Sequence, residues 1–470
     1  IELRRWIMGP EAKARGRRRG LAARLADVAS YDEEGARAIE ALRKGAQALP
    51  ADGWLARLIE GAPHGAFEAM LAEIRGLAYA RDESGADAGY GLETELVDPP
   101  GALVEAVEAV RIAVEALHRP MVALGERLEA LLADPPDWLD GAARARVEGA
   151  VSALGWRGDL LAAWASLLAR VAGPADPDFV DWFALDRIEG REIDVGLHRH
   201  WLDPMRPVAE TVIKPAHGLL VTSATLTDGG DWTAALARAG AAQAGVAAET
   251  LSLPSPFAYA TQAEVLVITD VPRGDMAALA GAYARLIEAS GGGALGLFTA
   301  IRRLRIVHAR IADRLARSGL PLLAQHVDPI DTGTLVDIFR DDPHASLLGT
   351  DALRDGVDVP GESLRLVILE GVPWAKPSIL HRARRLAGGG QAYDDRIIRG
   401  KLAQGFGRLI RRAEDRGRFV ILSPAMPSRL IAAFPPGTPV RRVSLDEAVD
   451  AVRQGLSSPA DLGQVPADPG

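Results

Sequence analysis

The chain has 470 residues, 48% of them hydrophobic, with no cysteine and a formal net charge of −9. That length fills more than one core, and the missing cysteine excludes disulfides, thiolate metal sites and cysteine nucleophiles within these residues. No apolar run approaches the ~18 residues of a membrane span, and the first residue is Ile with no signal-type segment behind it; the expectation is a cytoplasmic protein, present here as a fragment.

Residues 1 to about 173 are rich in Ala, Leu and Arg at helical spacing, as in Leu103, Val107, Val110, Val114 and Leu117. Breaks fall at Pro50, at Asp82 to Pro100 and at Asp134-Pro135-Pro136. Trp138, Trp156 and Trp164 read as core residues. Around Pro174 the period changes, and Phe179–Leu185 and Glu192–Leu197 predict two strands joined at Glu189-Gly190. The first region is therefore 1–205, helical with a short hairpin at its end.

From residue 206 the rhythm is strand, loop, helix. Continuous apolar runs predict buried parallel strands at Leu219–Ser223, Glu264–Thr269, Ala294–Phe298, Pro321–Gln325, Ala345–Gly349, Leu364–Leu369 and Arg418–Leu422. Helices are predicted over Met276–Ser290, Ala300–Ser318, Thr332–Arg340 and Arg396–Ala413. The fold class is α/β, a doubly wound parallel sheet whose ligands would sit beyond the carboxyl ends of the strands. The tail from 456 to 470, rich in Pro, Gly and Asp, reads as disordered.

Two basic islands stand out of the acidic body. Seven Lys or Arg face two acids in the first twenty residues, and eleven face four between His381 and Arg418. Such islands suit phosphate at defined places, or are solvated faces. In the second, Gln404-Gly405-Phe406-Gly407-Arg408-Leu409-Ile410-Arg411-Arg412 places Gln404, Arg408 and Arg411 on one face if the run is helical. Guanidinium forks there could grip phosphate oxygens bidentately. Upstream, Val221-Thr222-Ser223-Ala224-Thr225-Leu226 and Leu297-Phe298-Thr299-Ala300 each end a predicted strand, the second followed by Arg302 and Arg303. Thr350-Asp351 to Gly361 follows another strand, and its Gly356 and Asp358 fit a close-approaching ligand or an ordinary turn.

The order and content of these motifs resemble the DinG/XPD-type superfamily 2 helicases. VTSATL is similar to motif III, LFTA to motif IV, GVDVPGESLRLVI to motif V and QGFGRLIRRAEDRGRFVIL to motif VI. The resemblance implies an ATP-dependent DNA helicase with a RecA-like C-terminal domain over 256–455. It makes 206–255 the last strand of a first RecA-like domain with a linker, and 1–205 an arch-like region. By the same resemblance Arg408 and Arg411, with Gln404, reach the ATP γ-phosphate, and Gly356, Asp358, Asp355 and Gly407 lie at the nucleotide. Ser223, Ala224 and Thr225 would couple hydrolysis to strand movement, and Thr299, Arg302 and Thr350 would meet the nucleic-acid backbone. Where the family has Trp-Glu-Gly, this chain has Arg354-Asp355-Gly356, a shorter acid.

Neither a GxxxxGK[ST] loop nor a DExH box occurs; Asp446-Glu447 reads as part of a capping box with Ser444. ATP and Mg²⁺ would then be held largely by a missing N-terminal part, and iron–sulfur ligands, absent here, would lie upstream. No metal ligands are expected in these residues. The partner expected is single-stranded or forked DNA, bound by a monomer. A scaffold that binds nucleic acid without catalysis, or an RNA helicase, are the alternatives.

Overall fold

The computed structural model describes residues 1–9, 20–82, 91–188, 190–350, 353 and 358–456. The chain divides into two compact units, Ile1–Pro204 with Ser378–Ala383, and Met205–Pro377 with Arg384–Gly470.

The first unit contains α1 (Glu2–Met8), α2 (Glu33–Ala46), α3 (Gly65–Ala80), β1 (Leu92–Glu95), α4 (Gly101–Ala133), α5 (Gly141–Arg170), β2 (Phe179–Ile188) and β3 (Arg191–Trp201). On α4 the buried residues run from Leu103 through Val107, Val110, Val114 and Leu117 to Leu131. That stripe packs against α2, α3 and α5. β1, β2 and β3 form an antiparallel sheet. The hairpin is longer than the sequence predicts, and β1 falls where the sequence predicts only loop. Ile379 and Leu380 pack on Val180, Trp182 and Ala184 of this sheet.

Part of the N-terminal basic island is structural. Arg4 donates to the carbonyls of Ala46, Gln47 and Leu49 at 3.0 to 3.1 Å, capping the end of α2. Arg5 pairs with Asp52 at 2.5 Å. Lys13, Arg15, Arg17, Arg18 and Arg19 lie outside the described residues. Trp138 and Trp164 pack partly buried on the core, whereas Trp156 is exposed, with the Arg157 guanidinium 4.0 Å above its ring. Stacking under a cation replaces core packing there.

Asp32 starts α2, its Oδ2 accepting from the Gly35 N–H at 2.7 Å and from Arg127 Nε at 3.0 Å. The Arg127 hydrogen bond, helped by Gly35, holds the Asp32 carboxyl below its ordinary range against the opposing effect of burial. Because the folded value lies below the unfolded one, the stabilisation is full above the unfolded value of about 4 and is lost as pH falls through the folded value. Asp32→Asn is therefore expected to flatten the loss of thermal stability between about pH 5 and pH 2. Melting curves of the two proteins across that range check it.

The second unit is built on a seven-stranded sheet. In chain order it holds β4 (Ala263–Ile268), α6 (Met276–Ser290), β5 (Ala294–Phe298), α7 (Ile301–Arg317), β6 (Leu322–Ala324), α8 (Thr332–Asp341), β7 (Ser346–Thr350) and β8 (Leu366–Leu369). There follow α9 (Ile379–Ala387), whose first turn belongs to the first unit, α10 (Gln391–Phe406), β9 (Gly417–Leu422), β10 (Val440–Val443) and α11 (Leu445–Leu456). The strand order is β10-β4-β9-β8-β5-β7-β6, and every neighbouring pair is parallel. Buried residues of α6, α7 and α11 cover one face, and those of α8 and α10 cover the other. With both faces covered, the inner strands read as apolar runs, whereas the edge strand β10 does not. This is the RecA-like α/β architecture, and the first unit is mostly helical.

The capping box holds: the Ser444 N–H donates to Glu447 Oε2 at 2.8 Å, and the Glu447 N–H to Ser444 Oγ at 3.3 Å. Two expectations fail. Leu219–Ser223 forms no strand, and Leu219, Leu220 and Val221 are exposed. An apolar run becomes a strand only against partner strands, and none pairs with it among the described residues. The helix predicted over 396–413 runs instead from Gln391 to Phe406. Residues 456–470 fall outside the described part from 457 onward. No helix among the described residues is long and apolar enough to cross a membrane.

Candidate functional site

The arginine segment leaves the helix after Phe406, where Gly407 caps α10. Leu409 and Ile410 are successive residues and both are buried, at 1% and 3% exposure. A turn at Gly407–Leu409 carries both into the core. Gly417 makes room for this turn, since a Cβ there would lie 2.0 Å from Leu409 Cδ2. Gln404 therefore sits half-buried on the last turn of α10, whereas Arg408 is half-buried on the turn and Arg411 and Arg412 are exposed on the bend beyond it. The shared helical face expected for Gln404, Arg408 and Arg411 does not exist.

Two buried polar side chains set this loop. Asp415 Oδ2 accepts from the backbone N–H groups of Arg411 and Arg412 at 2.7 and 2.8 Å. Gln262, the residue before β4, donates through Nε2 to the carbonyls of Arg412, Ala413 and Asp415 at 3.2, 2.9 and 3.2 Å. The stems of both arginines are thus fixed while their guanidinium groups stay outside. Neither acid nor amide was singled out in the sequence; an Asp three to four residues after the arginines was the available signal for a loop anchor. Asp415→Ala removes an acceptor for two N–H groups and is expected to destabilise this unit by about 1 to 3 kcal/mol. Urea unfolding measures the cost, and faster hydrogen exchange at the amides of Arg411 and Arg412 localises it.

Asp358 joins the loop. Its Oδ1 lies 3.4 Å from Arg411 Nε, and its carbonyl accepts from Arg340 Nε at 3.2 Å. Gly356 and Asp355 lie outside the described residues. Gly407 caps α10, its N–H donating to Ala403 O at 2.9 Å.

Ser223, Ala224 and Thr225 form a turn in which the Thr225 N–H donates to Ser223 Oγ at 3.1 Å. Asp228, just downstream, is gripped bidentately by Arg399 of α10, with Nε to Oδ1 at 2.9 Å and Nη2 to Oδ2 at 2.5 Å. That clamp ties the turn's segment to the helix that ends in the arginine loop.

The other candidates gather at the carboxyl edge of the sheet. Phe298 pairs in register with Thr350, so Thr299, one residue later, is beside it. Both threonines are held alike. Thr299 donates its N–H to Glu370 Oε1 at 2.7 Å and its hydroxyl to the same oxygen. Thr350 donates its N–H and hydroxyl to Gln325 Oε1 at 3.1 and 3.0 Å. Glu370 follows β8 and Gln325 follows β6, and both are buried. Arg302 is exposed on the first turn of α7, and Arg303, beside it, brings Nε to 2.8 Å from Glu370 Oε2. That N–H is misaligned with the oxygen, so the contact is Coulombic rather than a hydrogen bond. Glu370 and Gln325 were missed as site residues, although a carboxylate directly after an apolar strand was visible in the sequence.

Among the described residues no group of three or more Asp, Glu, His or Cys converges as for a metal ion. The donor set here is cationic and suits an anion. These residues do not themselves fit Mg²⁺.

Residues 283–435 match the family described as Helicase C-terminal domain. The chain is 33% identical over 282 residues to "ATP-dependent helicase DinG" of Mycobacterium tuberculosis, covering 57% of the chain and 42% of that protein. It is 34% identical over 244 residues to "ATP-dependent DNA helicase YoaA" of Escherichia coli, covering 48% and 36%. A third relative, "3'-5' exonuclease DinG" of Bacillus subtilis, is 29% identical over 262 residues, covering 53% and 28%. The match thus spans less than half the length of each of these relatives. With its parallel RecA-like sheet and the motifs along its carboxyl edge, the chain is similar to DinG and YoaA helicases over this part of their length, and its residues 283–435 match the helicase C-terminal domain.

Proposed function

We propose that these residues belong to an ATP-dependent DNA helicase, in which this RecA-like unit closes on a nucleotide held by a second lobe that carries the P-loop and acidic box. The observation that carries the reading is the arginine loop, whose backbone is pinned by Asp415 and Gln262 while Arg411 stays outside, paired with the exposed carboxylate of Asp358. Such an exposed pair is worth about 0 to 1 kcal/mol. Arg411 can exchange Asp358 for a phosphate at little cost.

In this reading ATP supplies the phosphoryl group, and Mg²⁺ bound on the other lobe supplies charge neutralisation. Arg408 and Arg411 stabilise the charge that develops on the transferring group, and Gln404, Gly407 and Asp358 border it with Gly356 and Asp355. The turn at Ser223, Ala224 and Thr225, clamped through Asp228 and Arg399 to α10, links the state of that site to movement along the strand. Thr299, Arg302 and Thr350 line the path of single-stranded or forked DNA at the carboxyl edge of the sheet. Residues 1–205 act as an arch-like region and 206–255 connect the two lobes.

The test uses the purified chain and a longer protein that joins it to its P-loop lobe. The longer protein should hydrolyse ATP faster with single-stranded DNA and unwind forked duplexes, whereas the chain alone should bind ATP weakly without turnover. Robust hydrolysis by the chain alone, or no stimulation by DNA in the longer protein, would refute the reading.

A further inference from the structure

The Gln262 amide has two ends, and only one of them serves the arginine loop. Its Nε2 donates to the carbonyls of Arg412, Ala413 and Asp415, while its Oε1 accepts from the Ala258 N–H at 2.7 Å. The reverse orientation would set oxygen against three carbonyls and N–H against N–H, so these contacts fix which end points where. The residue is 2% exposed, and neither end can trade its partner for bulk water.

Ala258 belongs to the segment that leads into β4. Ser255 Oγ accepts from the Phe257 N–H at 3.3 Å and donates to Tyr259 Oη at 3.1 Å. The Ala258 carbonyl accepts from the Gln262 N–H and from Thr261 Oγ1, each at 3.1 Å. Residues 255 to 262 are therefore one hydrogen-bonded piece. Its Tyr259 ring lies 5.8 Å from that of Phe406, where the arginine loop begins. The segment thus touches the loop twice, through a ring at its start and through the amide further along. Asp415, being part of the loop, stiffens it without any contact at Ala258. A planar amide that holds both partners does more: displacing Ala258 turns the group and draws its N–H away from the carbonyls.

Resting on the ATPase reading above, in which 206–255 connect two lobes, we propose that Gln262 is a positioning residue that couples this connection to the arginine loop. The pull of lobe closure on residues 255–258 then sets the pose of Arg411 and Arg412. The coupling is reciprocal, so a phosphate that engages the loop favours the docked form of the segment.

Ala258→Pro tests the link from outside the loop. It deletes the N–H that Gln262 accepts, at an exposed residue whose φ of −91° a proline can approach, and it touches neither arginine. In the whole chain, hydrogen exchange at the amides of Arg411 and Arg412 should quicken by about fivefold, the worth of one hydrogen bond. Gln262→Met keeps the volume and removes both ends, and exchange there should quicken by about tenfold or more. In that background Ala258→Pro should add less than about twofold, because the link it breaks is already gone. In a protein joined to its P-loop lobe, Ala258→Pro should lower kcat for DNA-stimulated hydrolysis by about fivefold and leave KM for ATP within about twofold.

Unchanged exchange at Arg411 and Arg412 in Ala258→Pro, or an undiminished Ala258→Pro effect in the Gln262→Met background, would overturn the coupling. Equal quickening throughout the second unit would overturn it too, since that is general loss of stability. Ala258 is exposed, so its variant decides the matter even if Gln262→Met fails to fold. A joined protein that hydrolyses no ATP would instead sink the ATPase reading, on which the exchange experiment with the chain does not depend.

Discussion

Arg411→Ala, made in a protein that joins these residues to a P-loop lobe, is expected to lower DNA-stimulated ATP hydrolysis by about 10³-fold or more, the range for an arginine that stabilises transferring phosphoryl charge. The loss should fall on kcat with little change in KM, because an interaction made mainly in the transition state leaves ground-state binding almost untouched. Arg408→Ala should behave alike. The structure adds a reason why lysine is no substitute at 411: Asp415 fixes the backbone N–H at 2.7 Å, so the reach of the side chain is set, and an ammonium offers one point of charge where the guanidinium offers a planar fork. Arg411→Lys should therefore recover only a small part of the rate. Steady-state ATPase assays at saturating single-stranded DNA decide it; a rate within about twofold of wild type for either alanine variant would remove the assigned role.

What could be read in advance follows from how local the signal is. β5 and α6 match the sequence reading to the residue, because an apolar run ends at Phe298 and because Asp275 and Gly291 mark the two ends of the helix. Asp275 Oδ1 accepts from Ala277 and Ala278, and Gly291 takes a φ of 67° that most side chains avoid. By contrast β10 is Val440-Arg441-Arg442-Val443, an edge strand whose two central side chains are exposed. It carries no run to notice. The end of α10 was hidden differently. The spacing of Gln404, Arg408 and Arg411 satisfies a helix, while the loop that replaces it is held by Asp415 and by the distant Gln262. For the site, the candidate residues could be named from type and order, while those that hold their backbone could not. Gln262 meets its three carbonyls about 150 positions away in sequence, and the Glu370 to Thr299 contact spans 71. Partners so distant are set by strand order.

Phe406→Ala is expected to destabilise the second unit by about 3 to 5 kcal/mol, the usual cost of deleting a buried phenyl ring. Phe406 is the last residue of α10 and is 1% exposed. Its ring lies 5.9 Å from that of Phe419 on β9, 5.5 Å from Phe434 and 5.8 Å from Tyr259, centroid to centroid, with the two phenyl contacts edge to face. Phe419 and Phe434 also meet each other at 5.7 Å, so the lost ring leaves a cavity whose walls are themselves braced and cannot collapse to fill it. That argues for the upper part of the range, because the cost grows with the volume left empty. Against a whole-domain stability of about 5 to 15 kcal/mol the change is large. The effect also reaches the arginines, since Leu409 N–H donates to Phe406 O at 3.0 Å and the turn begins there. Phe406→Leu, which keeps most of the volume, should cost far less and leave the loop in place. Urea unfolding of the three proteins gives the energies, and hydrogen exchange at residues 407 to 412 reports the loop. If alanine costs under about 1 kcal/mol, the aromatic cluster does not support the loop and Asp415 with Gln262 must hold it alone.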